Sequence, residues 1–117
     1  MIRVVVVDDQ ELVRAGFKAL IDSDPVLEVV GEARNGSDAI VAVEAAGADV
    51  VLMDIRMPEM NGIEATRRIR ALPDPPEVLI LTTFDTDENA FDALEAGAAG
   101  FLVKDTPPVQ LLEAIKT

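Results

Sequence analysis

The chain has 117 residues, 22 acidic against 10 basic side chains for a formal charge of −12, and neither cysteine nor histidine. That length fits one domain with a sizeable core; the missing side chains exclude disulfides, thiolate zinc sites, a cysteine nucleophile and a phosphohistidine of its own, and leave any metal to oxygen ligands, hence Mg²⁺, Mn²⁺ or Ca²⁺. The acidic field repels phosphate backbones, no stretch nears the roughly 18 unbroken apolar residues of a membrane span, and no signal segment opens the chain, so the expectation is a cytoplasmic protein that touches neither nucleic acid nor membrane directly.

Arg3-Val4-Val5-Val6-Val7 is a short β-branched run, too brief for a helix and too apolar for a half-exposed strand, and it ends in Asp8-Asp9. Val13, Phe17, Leu20 and Ile21 then recur at helical spacing, with Glu11, Arg14 and Lys18 on the other side. Asp22-Ser23-Asp24-Pro25 stops that helix, and Leu27–Ala33 alternates enough to predict a strand nearer the sheet edge. Asn35-Gly36-Ser37 is a turn, with Ser37 the expected cap of a helix that carries Ile40 and Val43 and ends at Gly47.

Val50-Val51-Leu52-Met53 reads as a strand buried on both faces that ends at Asp54; Pro58 then turns the chain toward a helix from Gly62 to Ala71, anchored by Ile63 and Ile69. Pro73-Asp74-Pro75-Pro76 is a rigid connector before the strand Glu77–Thr82. Asp85 and Glu88 stand in capping-box relation at the start of a helix with Ala90, Phe91 and Leu94 inward and Gly97 at its end. Gly100–Lys104 is the last strand, and Pro107-Pro108 leads a final helix with Val109, Leu112 and Ile115. Five strands alternating with five helices predict an α/β doubly wound parallel sheet, and right-handed crossovers make the strand order 2-1-3-4-5 the economical one.

On that topology Asp8, Asp9, Asp54, Thr82 and Lys104 converge on the rim formed by the strand C-termini, where open α/β sheets bind ligands. Each has a plainer reading: Asp8-Asp9 as a helix-start signal, Asp54 as a turn residue, Thr82 as a β-branched strand residue, Lys104 as an edge lysine that snorkels, and Phe101 as core. Five rim positions agreeing at once are poorly explained that way. Three carboxylates so placed repel one another, and Mg²⁺ or Lys104 would offset the repulsion. Asp54 could then attack an electrophilic phosphorus and hold it as an acyl phosphate, with the metal, the Lys104 ammonium and the Thr82 hydroxyl meeting the transferred oxygens.

Val-Val-Asp-Asp-Gln at 6–10, Asp-Ile-Arg-Met-Pro-Glu-Met-Asn-Gly at 54–62, Leu-Thr-Thr-Phe at 81–84 and Ala-Gly-Ala-Ala-Gly-Phe-Leu-Val-Lys at 96–104 resemble, in order and over the full length, the flavodoxin-like receiver domain of two-component response regulators. Leu-Thr-Thr-Phe-Asp together with Lys-Asp-Thr-Pro-Pro at 104–108 looks most like the NarL/FixJ (LuxR-type) branch. The resemblance implies that Asp54 is the phospho-acceptor, Asp9 a direct Mg²⁺ ligand with Asp8 close by and often acting through water, and the main-chain carbonyl of Arg56 the remaining protein ligand. It makes Thr82 the switch hydroxyl, Phe101 the switch aromatic and Lys104 the phosphoryl partner. Phe101 stands where many members carry tyrosine, so its two orientations differ by packing only. Asp105 stands where many carry proline, which leaves open whether the usual cis peptide after Lys104 is kept.

The implied partners are a sensor histidine kinase and, after phosphorylation, a second copy of the chain. In that branch a helix-turn-helix domain normally follows, and residues 1–117 encode none, so the expectation is the regulatory domain of a longer transcription regulator that meets DNA only through its C-terminal part. Such a domain is not an enzyme, because it catalyses only its own phosphorylation and dephosphorylation. The competing expectations are a phosphorylation-independent binding module, a hydrolase working through an aspartyl phosphate, disfavoured by Arg56 two residues after Asp54, and a nucleotide-binding protein, disfavoured by the absence of a Gly-rich turn after the first strand.

Overall fold

Continuous aliphatic strands need cover on both faces, and the computed structural model, which describes residues 1–55, 62–82, 92, 94–103 and 106–116, provides it. The elements run β1 (Ile2–Val7), α1 (Glu11–Asp22), β2 (Leu27–Ala33), α2 (Gly36–Ala46), β3 (Val50–Asp54), α3 (Gly62–Arg70), β4 (Glu77–Thr82), β5 (Gly100–Val103) and α4 (Pro108–Lys116). All strand pairs are parallel and their order is β2-β1-β3-β4-β5, as right-handed crossovers require.

The pleat sorts side chains by parity. Val5, Val7, Val51, Met53, Val78 and Ile80 face α2 and α3. Val4, Val6, Leu52, Leu79 and Leu81 face α1 and α4 through Ile21, Leu111 and Ile115. Two core layers therefore clamp β1 and β3 from both sides, and a fully buried aliphatic side chain of this kind contributes about 1.5–3 kcal/mol. That rigid pair of strands carries the acidic residues at its tips.

Two local expectations are corrected, the cap of α2 and the facing of Leu94. The cap of α2 is Asn35, not Ser37: its side-chain oxygen accepts the Asp38 N–H at 2.8 Å, while Ser37 is exposed inside the first turn. On α4, which starts at the second proline, Leu111 and Ile115 fill the core four residues apart, Leu112 is half-buried and Val109 is exposed. On α3, Ala65 and Thr66 complete the buried face that Ile69 anchors. The expected helix between β4 and β5 begins, with Asp85, Glu88, Ala90 and Phe91, outside the described residues. Its end lies at Gly97 as predicted, with φ +107 and Ala96 N–H donating to the Asp92 carbonyl at 3.0 Å, and Leu94, expected inward, is exposed.

Candidate functional site

β1 and β3 are in register with Val7 opposite Met53, and Asp54 is opposite Leu81 of β4, so their C-terminal ends are nearly level. The chain leaving β1 and the last residue of β3 thus meet on one rim. There one carboxylate oxygen each from Asp8, Asp9 and Asp54 lies within 4.8 Å of the others. Asp8 is 1% and Asp54 4% exposed, whereas Asp9 faces solvent.

Asp8 is held on several sides. Its N–H donates to the Ala33 carbonyl of β2 at 3.1 Å, and its Oδ1 accepts the N–H of Gln10 at 2.9 Å. The helix-start reading is therefore partly met, since that bond ties the turn entering α1, whose N-cap residue Gln10 makes no side-chain cap bond of its own. Arg14 of α1, which sequence pattern placed on the helix's outer side, donates from Nη1 to the main-chain carbonyl of Asp8 at 2.7 Å and from Nε to Glu32 Oε1 at 2.7 Å. Lys18 also donates to Glu32. These bonds, that of Lys18 first and that of Arg14 second, hold the Glu32 carboxyl below its ordinary value of 4.5. Its contribution to stability is complete above that pH and is lost as pH falls through the lowered value, and it is small because the side chain is 41% exposed.

Asp54 is fixed through its backbone. Ile55 N–H donates to the Leu81 carbonyl at 3.3 Å, Gly62 N–H returns to the Ile55 carbonyl at 2.8 Å, and the buried Thr66 hydroxyl donates to the Gly62 carbonyl at 2.7 Å. At Gly62 a Cβ would lie 2.1 Å from the main-chain oxygen of Asp54 and 2.9 Å from its carbonyl carbon. Only glycine lets α3 begin so close behind the strand tip. We expect Gly62→Ala to lose about 1–3 kcal/mol through overpacking against backbone, read by urea denaturation with an unchanged slope; a wild-type midpoint would contradict this account of the loop.

A divalent cation fits the donor set. All three groups are hard oxygen donors, two are buried, and buried charge persists only when paired or bound to metal. The 4.8 Å limit compares with about 4.2 Å between opposite ligands of a Mg²⁺ octahedron, so one hydrated ion shared among the three is of the right size.

Of the other predicted residues, Phe101 lies in β5 opposite Ile80, half-buried against the α2/α3 layer. The Thr82 backbone ends β4 opposite Val103, the last residue of β5. The Thr82 hydroxyl, the Arg56 carbonyl, Lys104 and the Lys104–Asp105 peptide lie outside the described residues.

Residues 4–116 match the family described as response regulator receiver domain. The chain is 45% identical over 115 residues to the transcriptional regulatory protein YxjL of Bacillus subtilis, covering 98% of this chain and 53% of that one. It is 43% identical over 116 residues to the DNA-binding transcriptional activator DevR/DosR of Mycobacterium tuberculosis, covering 99% and 54%. It thus spans about half the length of the curated relatives it matches. Among solved structures it is similar to the signal receiver domain of a Mycobacterium tuberculosis NarL response regulator, with TM-score 0.94, 36% identity and coverage of 98% and 93%. A LuxR-family two-component response regulator from Aurantimonas gives 0.92, 38%, and 97% and 81%. Whole-length match, strand order and acidic rim agree: the chain belongs to the response regulator receiver domain family, among relatives of the NarL/LuxR type.

Proposed function

We propose that Asp54 is the phospho-acceptor of a two-component switch, charged by a sensor histidine kinase in the presence of Mg²⁺. The observation that carries this is the meeting of Asp8, Asp9 and Asp54 at the tips of two strands clamped on both faces. A carboxylate oxygen of Asp54 attacks the phosphorus of a phosphohistidine; the O–P bond forms as the P–N bond breaks, and the imidazole leaves with the electron pair and takes a proton from water. Asp8, Asp9, Asp54 and the Arg56 carbonyl would hold Mg²⁺, which would supply positive charge toward the transferred oxygens. Backbone pairing with Leu81 and the Ile55 N–H on the Leu81 carbonyl keep Asp54 at the strand tip. The Lys104 ammonium pairs with the phosphoryl oxygens, and the Thr82 hydroxyl moves toward them while Phe101 repacks, which shifts a two-state equilibrium and favours a homodimer.

The domain is a phosphorylated switch and not a multiple-turnover enzyme. The relatives named above are transcriptional regulators about twice as long, which supports a cytoplasmic regulator whose C-terminal part binds DNA. No helix among the described residues is long and apolar enough to cross a membrane. Incubation with acetyl phosphate and Mg²⁺ followed by intact mass measurement tests the reading: the chain gains the mass of one phosphoryl group, and no gain under conditions that label a control receiver sinks it.

A further inference from the structure

Arg14 reaches back from α1 to the acidic turn, with its side chain only 14% exposed. Two separate nitrogens of the guanidinium serve two acceptors, Nη1 the Asp8 carbonyl and Nε Glu32, each at 2.7 Å. Glu32 precedes Ala33, the residue whose carbonyl accepts the Asp8 N–H. Asp8 is therefore gripped at both ends, its N–H by β2 directly and its C=O by β2 through Arg14.

That carbonyl belongs to the peptide unit joining Asp8 to Asp9. The unit is planar, so fixing its oxygen fixes the direction in which the chain arrives at the Cα of Asp9. Asp9 itself is solvent-exposed. We propose that Arg14 is a positioning residue for the acidic site, setting the affinity for a divalent cation by locking the Asp8–Asp9 peptide plane against β2. The inference rests on the metal-binding reading above.

A planar guanidinium donates along diverging directions at once, whereas a lysine ammonium on a flexible stem does not reproduce the fork. Charge alone at position 14 is then insufficient, and Glu32 matters as the group that aims the fork. Lys18, whose ammonium meets Glu32 and not the acidic turn, serves as the control.

The test is a calorimetric Mg²⁺ titration of the wild-type chain and of Arg14→Lys, Arg14→Ala, Glu32→Gln and Lys18→Ala, with urea denaturation of the same samples. Arg14→Lys and Arg14→Ala should weaken Mg²⁺ binding by about tenfold or more, the range for outer partners of metal ligands. Glu32→Gln should lose less and Lys18→Ala nothing. If Arg14→Ala does not fold, Arg14→Lys and Glu32→Gln decide. Arg14 variants that are less stable yet bind Mg²⁺ like the wild type make the residue a plain staple and overturn the inference while leaving the metal site standing. A wild-type chain that takes up no Mg²⁺ overturns both.

Discussion

Replacing Asp54 by asparagine should abolish the phosphoryl gain from acetyl phosphate altogether, in the presence or absence of Mg²⁺. The carboxamide keeps the shape of the side chain but lacks the anionic oxygen that forms the new bond to phosphorus. The fold should survive, because position 54 is held by pairing with Leu81, by the Ile55 N–H on the Leu81 carbonyl and by the Gly62 return to Ile55, all main-chain contacts. Circular dichroism of Asp54→Asn should therefore match the wild type while intact mass shows no addition. Undiminished labelling would mean that one of the neighbouring carboxylates, Asp8 or Asp9, is the nucleophile.

Removing the cation should have the second large effect. Two unit charges 4.8 Å apart repel by about 3–4 kcal/mol at an effective dielectric constant near 20 and by about 1 kcal/mol in bulk water. Two of the three carboxylates are buried and sit nearer the first figure than the second. A bound divalent ion relieves this, and at a hundredfold excess over its dissociation constant it should stabilise the fold by about 2.7 kcal/mol. Thermal melts should rise on adding MgCl₂ and return to baseline with chelator, whereas NaCl of equal ionic strength should leave most of the gap. Asp9→Asn removes the exposed carboxylate of the cluster, and should weaken the Mg²⁺ response by an order of magnitude or more and slow labelling in step. Equal stabilisation by NaCl and MgCl₂ would reduce the effect to screening.

What could be read from the sequence was what depends on runs and their ends. Val4–Val7 and Val50–Met53 have no polar side to offer solvent, so burial on both faces, and with it the parallel sheet, followed from composition. The acidic residues were found because charge interrupts those runs where a strand must stop. Contacts that depend on geometry between distant elements were hidden. Arg14 looked solvated because its acceptors, the Asp8 carbonyl and Glu32, belong to a turn and to a strand 18 residues on. A basic side chain a turn and a half past an acidic pair, with an acid one residue from the C-terminal end of the next strand, is the one signal that pointed to it. Gly62 read as a helix start, while its tightest constraint is the Asp54 carbonyl behind it. Asn35 and Ser37 are both good caps, and the choice between them rests on which residue keeps extended backbone, here Asn35 with φ −153 and ψ 173. The face of α3 was obscure because Ala65 and Thr66 carry little hydropathy although both are fully buried.

The central claim is that the group transferred to this chain resides on Asp54 and on no other carboxylate of the rim. Reducing the phosphorylated chain with borohydride converts an aspartyl phosphate to homoserine, and peptide mapping then locates it. The account predicts homoserine at position 54 alone, formed only when Mg²⁺ was present during labelling; homoserine at position 8 or 9, or at 54 in equal yield after metal removal, would contradict it.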